Sequence, residues 1–240
     1  MEPIYDFPQQ QLVKHFVAES PLRTSSLRSL GAFANVFAIE SFMDELATSA
    51  EQDPFEFRLA HLTDNRARAV LEVLREQAPA IPTGNGAGRG IALARYKNRQ
   101  TWCALLVDLH VTDDARVCLD HVVITADSGL VIDPDGLINQ LEGGFIQAAS
   151  WSLTEEVRWD ADGVTSRDWD SYPILTFSEV PTIRTHLLDR PLERALGAGE
   201  ASTGPTPAAI ANAIRSATGI RVRDIPFTPE NLRRAAARTD

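Results

Sequence analysis

The sequence has little with which to hold a metal of its own. Cys103 and Cys118 are the only cysteines among 240 residues, which excludes a CxxC redox pair, a zinc quartet and an iron-sulfur binding set. Each lies in an apolar, strand-like run, where a buried free thiol is the ordinary outcome. The five histidines, His15, His61, His110, His121 and His186, show no HxH or HExxH spacing and read as structural or surface residues. A metal or redox centre must therefore arrive inside a cofactor or on another subunit. Runs of basic residues are also missing, and a formal charge of −10 argues against nucleic acid as a partner. No apolar run reaches the length of a membrane span, so direct membrane insertion is not expected. The opening residues carry no basic or hydrophobic export pattern, which assigns the chain to the cytoplasm; export alongside a partner that carries the signal is the alternative.

What is present suits a packed core. Hydrophobic residues make up 44% of the chain, and their spacing alternates between helical and strand periods. Residues 11–17 (Gln-Leu-Val-Lys-His-Phe-Val) read as a strand. The polar loop 21–31 offers Arg23 and Arg28 as fixed forks for phosphate, carboxylate or carbonyl groups, and a solvated surface loop fits it equally. Val36, Ile39, Met43 and Leu46 predict a core helix over 33–50, with Glu40, Asp44 and Glu45 on its other faces. Asp53-Pro54 caps a second helix, and residues 64–77 form a third. These helices read as one packed unit within an N-terminal part, residues 1–80. The Gly- and Pro-rich stretch 81–90 reads as a linker into a second part, residues 81–240.

That second part predicts strands at 90–97, 102–111 and 116–126, the last two joined by a hairpin at Asp113-Asp114. A helix over 136–150 contains Gly143 and Gly144, each costing about 1 kcal/mol relative to Ala. Close approach by a neighbour would explain both, and would put Gln140 and Gln147 near one face. Strands near 155–159 and 183–188 flank the irregular stretch 165–177, whose mixed polar and aromatic residues could line a pocket. Helices over 207–218, closed by Gly219, and after Thr228-Pro229 complete an α+β fold of mixed sheets and packed helices.

One passage stands apart: Gly197-Ala198-Gly199-Glu200, followed by a helix start at Thr206-Pro207. Gly197 and Gly199 permit positive φ and close approach to a flat ligand, while Thr206 reads as the N-cap. A carboxylate partly buried there is expected to have a raised pKa, as a base working near neutrality requires. A solvated glutamate on a surface loop fits the same residues.

Taken in order, several of these passages resemble the molybdopterin-binding subunits of the xanthine dehydrogenase and aldehyde oxidase family, above all the branch of isoquinoline 1-oxidoreductase beta subunits. Pro21-Leu-Arg-Thr-Ser-Ser-Leu-Arg-Ser-Leu-Gly31, with Asn35-Val-Phe-Ala-Ile-Glu-Ser-Phe-Met-Asp-Glu-Leu-Ala47 after it, is similar to the family's arginine loop and following helix. Asp53-Pro-Phe-Glu-Phe-Arg-Leu59, Asn139-Gln-Leu-Glu-Gly-Gly-Phe-Ile-Gln147 and Gly197-Ala-Gly-Glu200 come next in the family's order. Leu27 and Leu30 stand where family loops often carry aromatics beside the arginine, and no Gly-Gln-Gly cofactor loop is present. The chain thus resembles the C-terminal part of a molybdenum subunit.

The resemblance implies a molybdopterin-type cofactor, in its cytosine dinucleotide form, shared with a second chain that supplies the missing loops. It makes Glu200 the general base, Gln140 a cofactor contact and Arg28 the arginine at the molybdenum site, with Gly197 and Gly199 shaping the loop. The implied reaction is hydroxylation of an N-heteroaromatic compound or an aldehyde, with water as the oxygen source. Electrons would leave through [2Fe-2S] clusters on another subunit to a cytochrome or flavin acceptor. A non-catalytic structural or assembly subunit of such a complex is the other reading.

Overall fold

A computed structural model describes residues 2–22 and 26–238. At its centre is a four-stranded sheet in the order β1-β2-β3-β6. β1 (Ala87–Arg95), β2 (Trp102–Val111) and β3 (Val117–Asp127) form an antiparallel meander, and β6 (Thr182–Leu187) joins β3 in parallel. A parallel neighbour requires a crossover. Here the crossover contains α4 (Pro134–Leu153) and a small hairpin, β4 (Trp159–Asp160) with β5 (Gly163–Val164).

β2 is apolar almost throughout because both faces of the sheet are covered. Cys103, Leu105, Val107 and Leu109 join the core that includes Leu141 and Phe145 of α4 and Ile210 and Ile214 of α5 (Thr206–Thr218). The alternate residues Trp102, Ala104 and Leu106 pack with Met43 of α1 (Ala32–Ser49), Phe55 of α2 (Pro54–Ala60) and Leu71 of α3 (Asn65–Glu76). Elements from before and after the glycine-rich stretch 81–90 thus share this second core. α5 lies very close to β1, and two strand glycines permit it: a Cβ on Gly90 would sit 2.2 Å from the Ala209 carbonyl oxygen. The last helix, α6 (Pro229–Ala236), starts at Thr228, whose hydroxyl accepts from the Asn231 amide.

Most predicted elements are present, and the α+β class holds, as do the caps at Asp53 and Thr228 and the closing Gly219, which is left-handed. Four expectations change. Residues 11–17 form no strand: none of the described residues pairs with them, and Leu12 and Phe16 are 58% and 82% exposed. The strand expected at 155–159 shrinks to the two-residue β4. Glu40 and Asp44 do not lie on solvated faces of α1 but are buried. Glu40 accepts from Tyr5 Oη at 2.6 Å, Arg58 Nε at 2.9 Å and the Leu93 amide at 3.0 Å, so the buried charge is fully paired. Finally, Thr206 is not the N-cap of α5 but its first residue, and its hydroxyl donates to the Ser202 carbonyl.

Candidate active site

Glu200 lies at the end of the sheet where β1 gives way to β2. The loop before it is tied down residue by residue. The Leu196 amide donates to the Ser128 carbonyl just past β3, at 2.8 Å. Gly197 is gripped from both sides, its amide donating to Gln100 Oε1 at 3.0 Å and its carbonyl accepting from Thr101 Oγ1 at 2.9 Å. Beyond Glu200, residues 201–205 run as buried turns into α5. The positive end of that helix is therefore inside the protein, away from any ligand at the loop.

The Arg28 loop closes the other side. Arg28 Nε donates to the Gly199 carbonyl at 2.8 Å and Nη1 to Gln147 Oε1 at 3.1 Å, while Nη2 reaches both Gly199 and the Gln140 carbonyl. Gln140 Nε2 also donates to the Gly199 carbonyl, at 3.1 Å. Next to Arg28, the Ser29 amide donates to Glu200 Oε1 at 2.7 Å. Arg28, Gln140, Gly197, Gly199 and Glu200, drawn from three separate stretches of sequence, thus converge on one site. Gln147 belongs to it as well. Arg23, the other arginine of the loop, lies outside the described residues.

α4 can approach this closely because of Gly144. A Cβ there would meet Ser202 Oγ at 2.4 Å and Arg28 Nη2 at 3.2 Å, whereas one on Gly143 would meet nothing within 4 Å. Close approach accounts for only one of the two glycines. Gly197 and Gly199, for their part, do not use positive φ. A Cβ on Gly199 would have only an ordinary contact, 3.9 Å from Gln140 Nε2, and the service of this residue is its carbonyl.

The charge of Glu200 runs against the expected direction. Burial pushes its carboxyl up, but the Tyr96 hydroxyl, the Ser29 amide and the positive charges of Lys97 and Arg28 outweigh burial, and the pKa falls below the ordinary glutamate value. Tyr96 and Ser29 escaped sequence reasoning. Both are single residues in short polar loops, and only the fold places them beside Glu200.

Of the cavities among the described residues, two bear on these expectations. One, of about 530 Å³, adjoins the site and is lined by Ser29, Leu30, Asn35, Tyr96 and Lys97 among others. The larger, of about 760 Å³, lies at the opposite end, near the paired residues His110 and Cys118, where β2 ends and β3 begins. The stretch 165–177, expected to line a pocket, lines that distant cavity through Thr165, Ser166, Asp170, Ser171, Pro173 and Leu175 and takes no part in the cavity beside Glu200. Among the described residues, no group of three or more His, Cys, Asp and Glu side chains is placed to hold a metal ion.

Comparison with known proteins agrees with this arrangement. Residues 83–181 match the model of the molybdopterin cofactor-binding domain. Over 97% of its length the chain is 39% identical to a nicotinate dehydrogenase subunit of Pseudomonas putida, and over 94% it is 31% identical to the beta subunit of isoquinoline 1-oxidoreductase of Brevundimonas diminuta. The chain belongs to the molybdopterin-binding subunits of the xanthine dehydrogenase and aldehyde oxidase family. It spans 21% and 29% of the lengths of those two relatives. The family fold is equally plain: quinoline 2-oxidoreductase from Pseudomonas putida superposes with a TM-score of 0.76 over 88% of this chain and 52% of its own, at 14% identity. No helix among the described residues is long and apolar enough to cross a membrane.

Proposed function

We propose that this chain is the part of a molybdenum hydroxylase that supplies the general base, Glu200, and one wall of the cofactor site, for oxidation of an N-heteroaromatic compound or an aldehyde with water as the oxygen source. The observation that carries the reading is the convergence of Arg28 and Gln140 on the Gly199 carbonyl, one residue before a carboxylate held by the Ser29 amide. The donor set suits the cofactor. It offers a guanidinium and amide groups for the ring and phosphate atoms of such a group.

Two N–H groups of Arg28 and one of Gln140 crowd onto a carbonyl oxygen that has two lone pairs. Turning the Gln140 amide toward a bound group therefore leaves the Gly199 oxygen satisfied. Arg28 stays as the brace of the loop, and Gln147 holds Arg28. When bound, the molybdenum cofactor supplies the two-electron oxidation. Glu200 is ionised at neutral pH, as an unshifted glutamate would also be, and its carboxylate can accept a proton; the lowered pKa makes it a weaker base than the raised value expected from the loop. The cytosine dinucleotide form of the cofactor, the second molybdopterin-binding chain, the [2Fe-2S] subunit and the cytochrome or flavin acceptor complete the proposed assembly, in the cytoplasm or exported with a partner.

Glu200→Gln tests this in the assembled complex. The amide oxygen can still accept from Ser29, so molybdenum and pterin content should stay at the wild-type level while turnover falls by about 10²–10⁴-fold. Retention of more than a few percent of turnover would remove Glu200 from the role of base.

A further inference from the structure

Tyr96 follows β1 directly, in the 3-10 turn 96–98 that leads to Gln100 and Thr101, the residues that grip Gly197. Its side chain is 7% exposed, and its hydroxyl is buried without a hydrogen bond of good geometry. A buried hydroxyl left in that state costs about 1–3 kcal/mol, so its retention calls for a reason. Tyr96 lines the same cavity as Ser29, whose amide holds Glu200, and the charged group that acts on its hydroxyl is the Glu200 carboxylate. On the other side of that carboxylate, the Ser29 amide already holds Oε1. Both walls are strained. Ser29 and Leu30, at φ 74° and 50°, and Lys97 and Asn98, at φ 52° and 53°, occupy the left-handed region that residues with a side chain seldom adopt. Such strain gathers at sites where a fixed geometry matters more than local stability.

Building on the reading of Glu200 as the base, we propose that Tyr96 is the positioning residue of this site, its hydroxyl the second hydrogen-bond donor to the Glu200 carboxylate. With the Ser29 amide on one oxygen and the Tyr96 hydroxyl on the other, the carboxylate has one orientation and stays ionised until it takes up a proton. Tyr96 donates and does not relay. Burial, and after it the neighbouring Glu200 carboxylate, first as hydrogen-bond acceptor and then as a charge, push its phenol up, so it remains neutral throughout the working range. The groups facing Glu200 are Tyr96 and Lys97 from the turn and the Ser29 amide and Arg28 from the loop. Tyr96→Phe removes one of these four without altering charge, and because the hydroxyl makes no other bond it leaves the packing in place.

The test is a pH titration of Glu200 by infrared spectroscopy in the full chain, labelled with 13C-carboxyl glutamate, with the Glu200→Gln spectrum subtracted to isolate the signal. Tyr96→Phe should move the titration midpoint upward by about 0.5–1 pH unit. Replacement of Tyr96 by 3-fluorotyrosine, a stronger donor, should move it downward. In the assembled complex the acid limb of kcat/KM should follow the same directions, with KM at neutral pH and cofactor content unchanged. An unmoved midpoint in Tyr96→Phe, with the thermal unfolding temperature preserved, overturns the proposal. If that variant does not fold, the fluorotyrosine chain decides in the same way: a downward shift supports the contact and none overturns it. A midpoint that moves while the acid limb stays fixed upholds the Tyr96–Glu200 contact and removes Glu200 as the base, so the two ideas fail separately.

Discussion

Arg28 and Gly199, 171 residues apart in sequence, are joined by two N–H groups of one guanidinium on one carbonyl oxygen. The same guanidinium reaches Gln147 through its third nitrogen, so a single side chain fastens the loop of Glu200 to α4. Arg28→Lys should break this arrangement, because an ammonium on a flexible stem cannot present a planar fork to both acceptors. Turnover of the assembled complex should fall at least about tenfold, while urea unfolding of the chain should shift by no more than about 1–2 kcal/mol. Full turnover in the variant would show that Gln100 and Thr101 suffice to hold the loop.

The two adjacent glycines of α4 should respond in opposite directions. At Gly144 an added methyl group would lie 2.4 Å from Ser202 Oγ, whose hydroxyl is itself committed to the Leu141 carbonyl at 2.7 Å. Gly144→Ala should therefore destabilise the chain by about 1–3 kcal/mol through overpacking and disturb Arg28 as well. Gly143→Ala meets open space and should stabilise the helix by up to about 1 kcal/mol. Chemical unfolding of the two variants side by side decides the matter; equal effects would mean that helix propensity alone governs both positions.

The contrast shows where the sequence was readable. A glycine pair inside a helical pattern signals something unusual, but the residue that approaches, Ser202, lies 61 positions from the Leu141 carbonyl it binds, and nothing local announces it. Apolar runs located β1, β2 and β3 within a few residues, since their side chains answer to two apolar layers. The same logic failed at residues 11–17, because a strand also needs an edge to pair with. Helical spacing placed Glu40 on a polar face of α1, yet Arg58 and Tyr5 bury it, and partners from other elements leave no trace in the spacing. The proposed site residues came from the resemblance, and the fold brings Arg28, Gln140, Gly199 and Glu200 together. The direction of the Glu200 shift was not, because it depends on Tyr96, Ser29, Lys97 and Arg28, all distant in sequence.

A last prediction concerns pH and the foundation of the site. Asp127, wholly buried at the end of β3, accepts from Arg66 Nε at 3.0 Å, Arg190 Nε at 2.7 Å and the Gly129 amide at 3.0 Å. Burial pushes its carboxyl up, but Arg66, Arg190 and the Gly129 amide outweigh burial and the net shift is downward. A carboxyl with a lower pKa in the folded state than in the unfolded one stabilises the fold above the unfolded value, about 3.9, and this contribution is lost as pH falls through the folded value. Asp127→Asn should therefore lower stability at pH 7 by about 1–3 kcal/mol; the cost stays below that of a fully buried pair because both arginines can reach water. Urea unfolding at pH 7, 5 and 3 should show the gap between wild type and variant narrowing only below about pH 4. A gap that is constant across this range would assign the effect to lost hydrogen bonds and not to charge. Because the neighbouring Ser128 carbonyl anchors Leu196, the variant should also loosen the strand-end support from which the Glu200 loop departs.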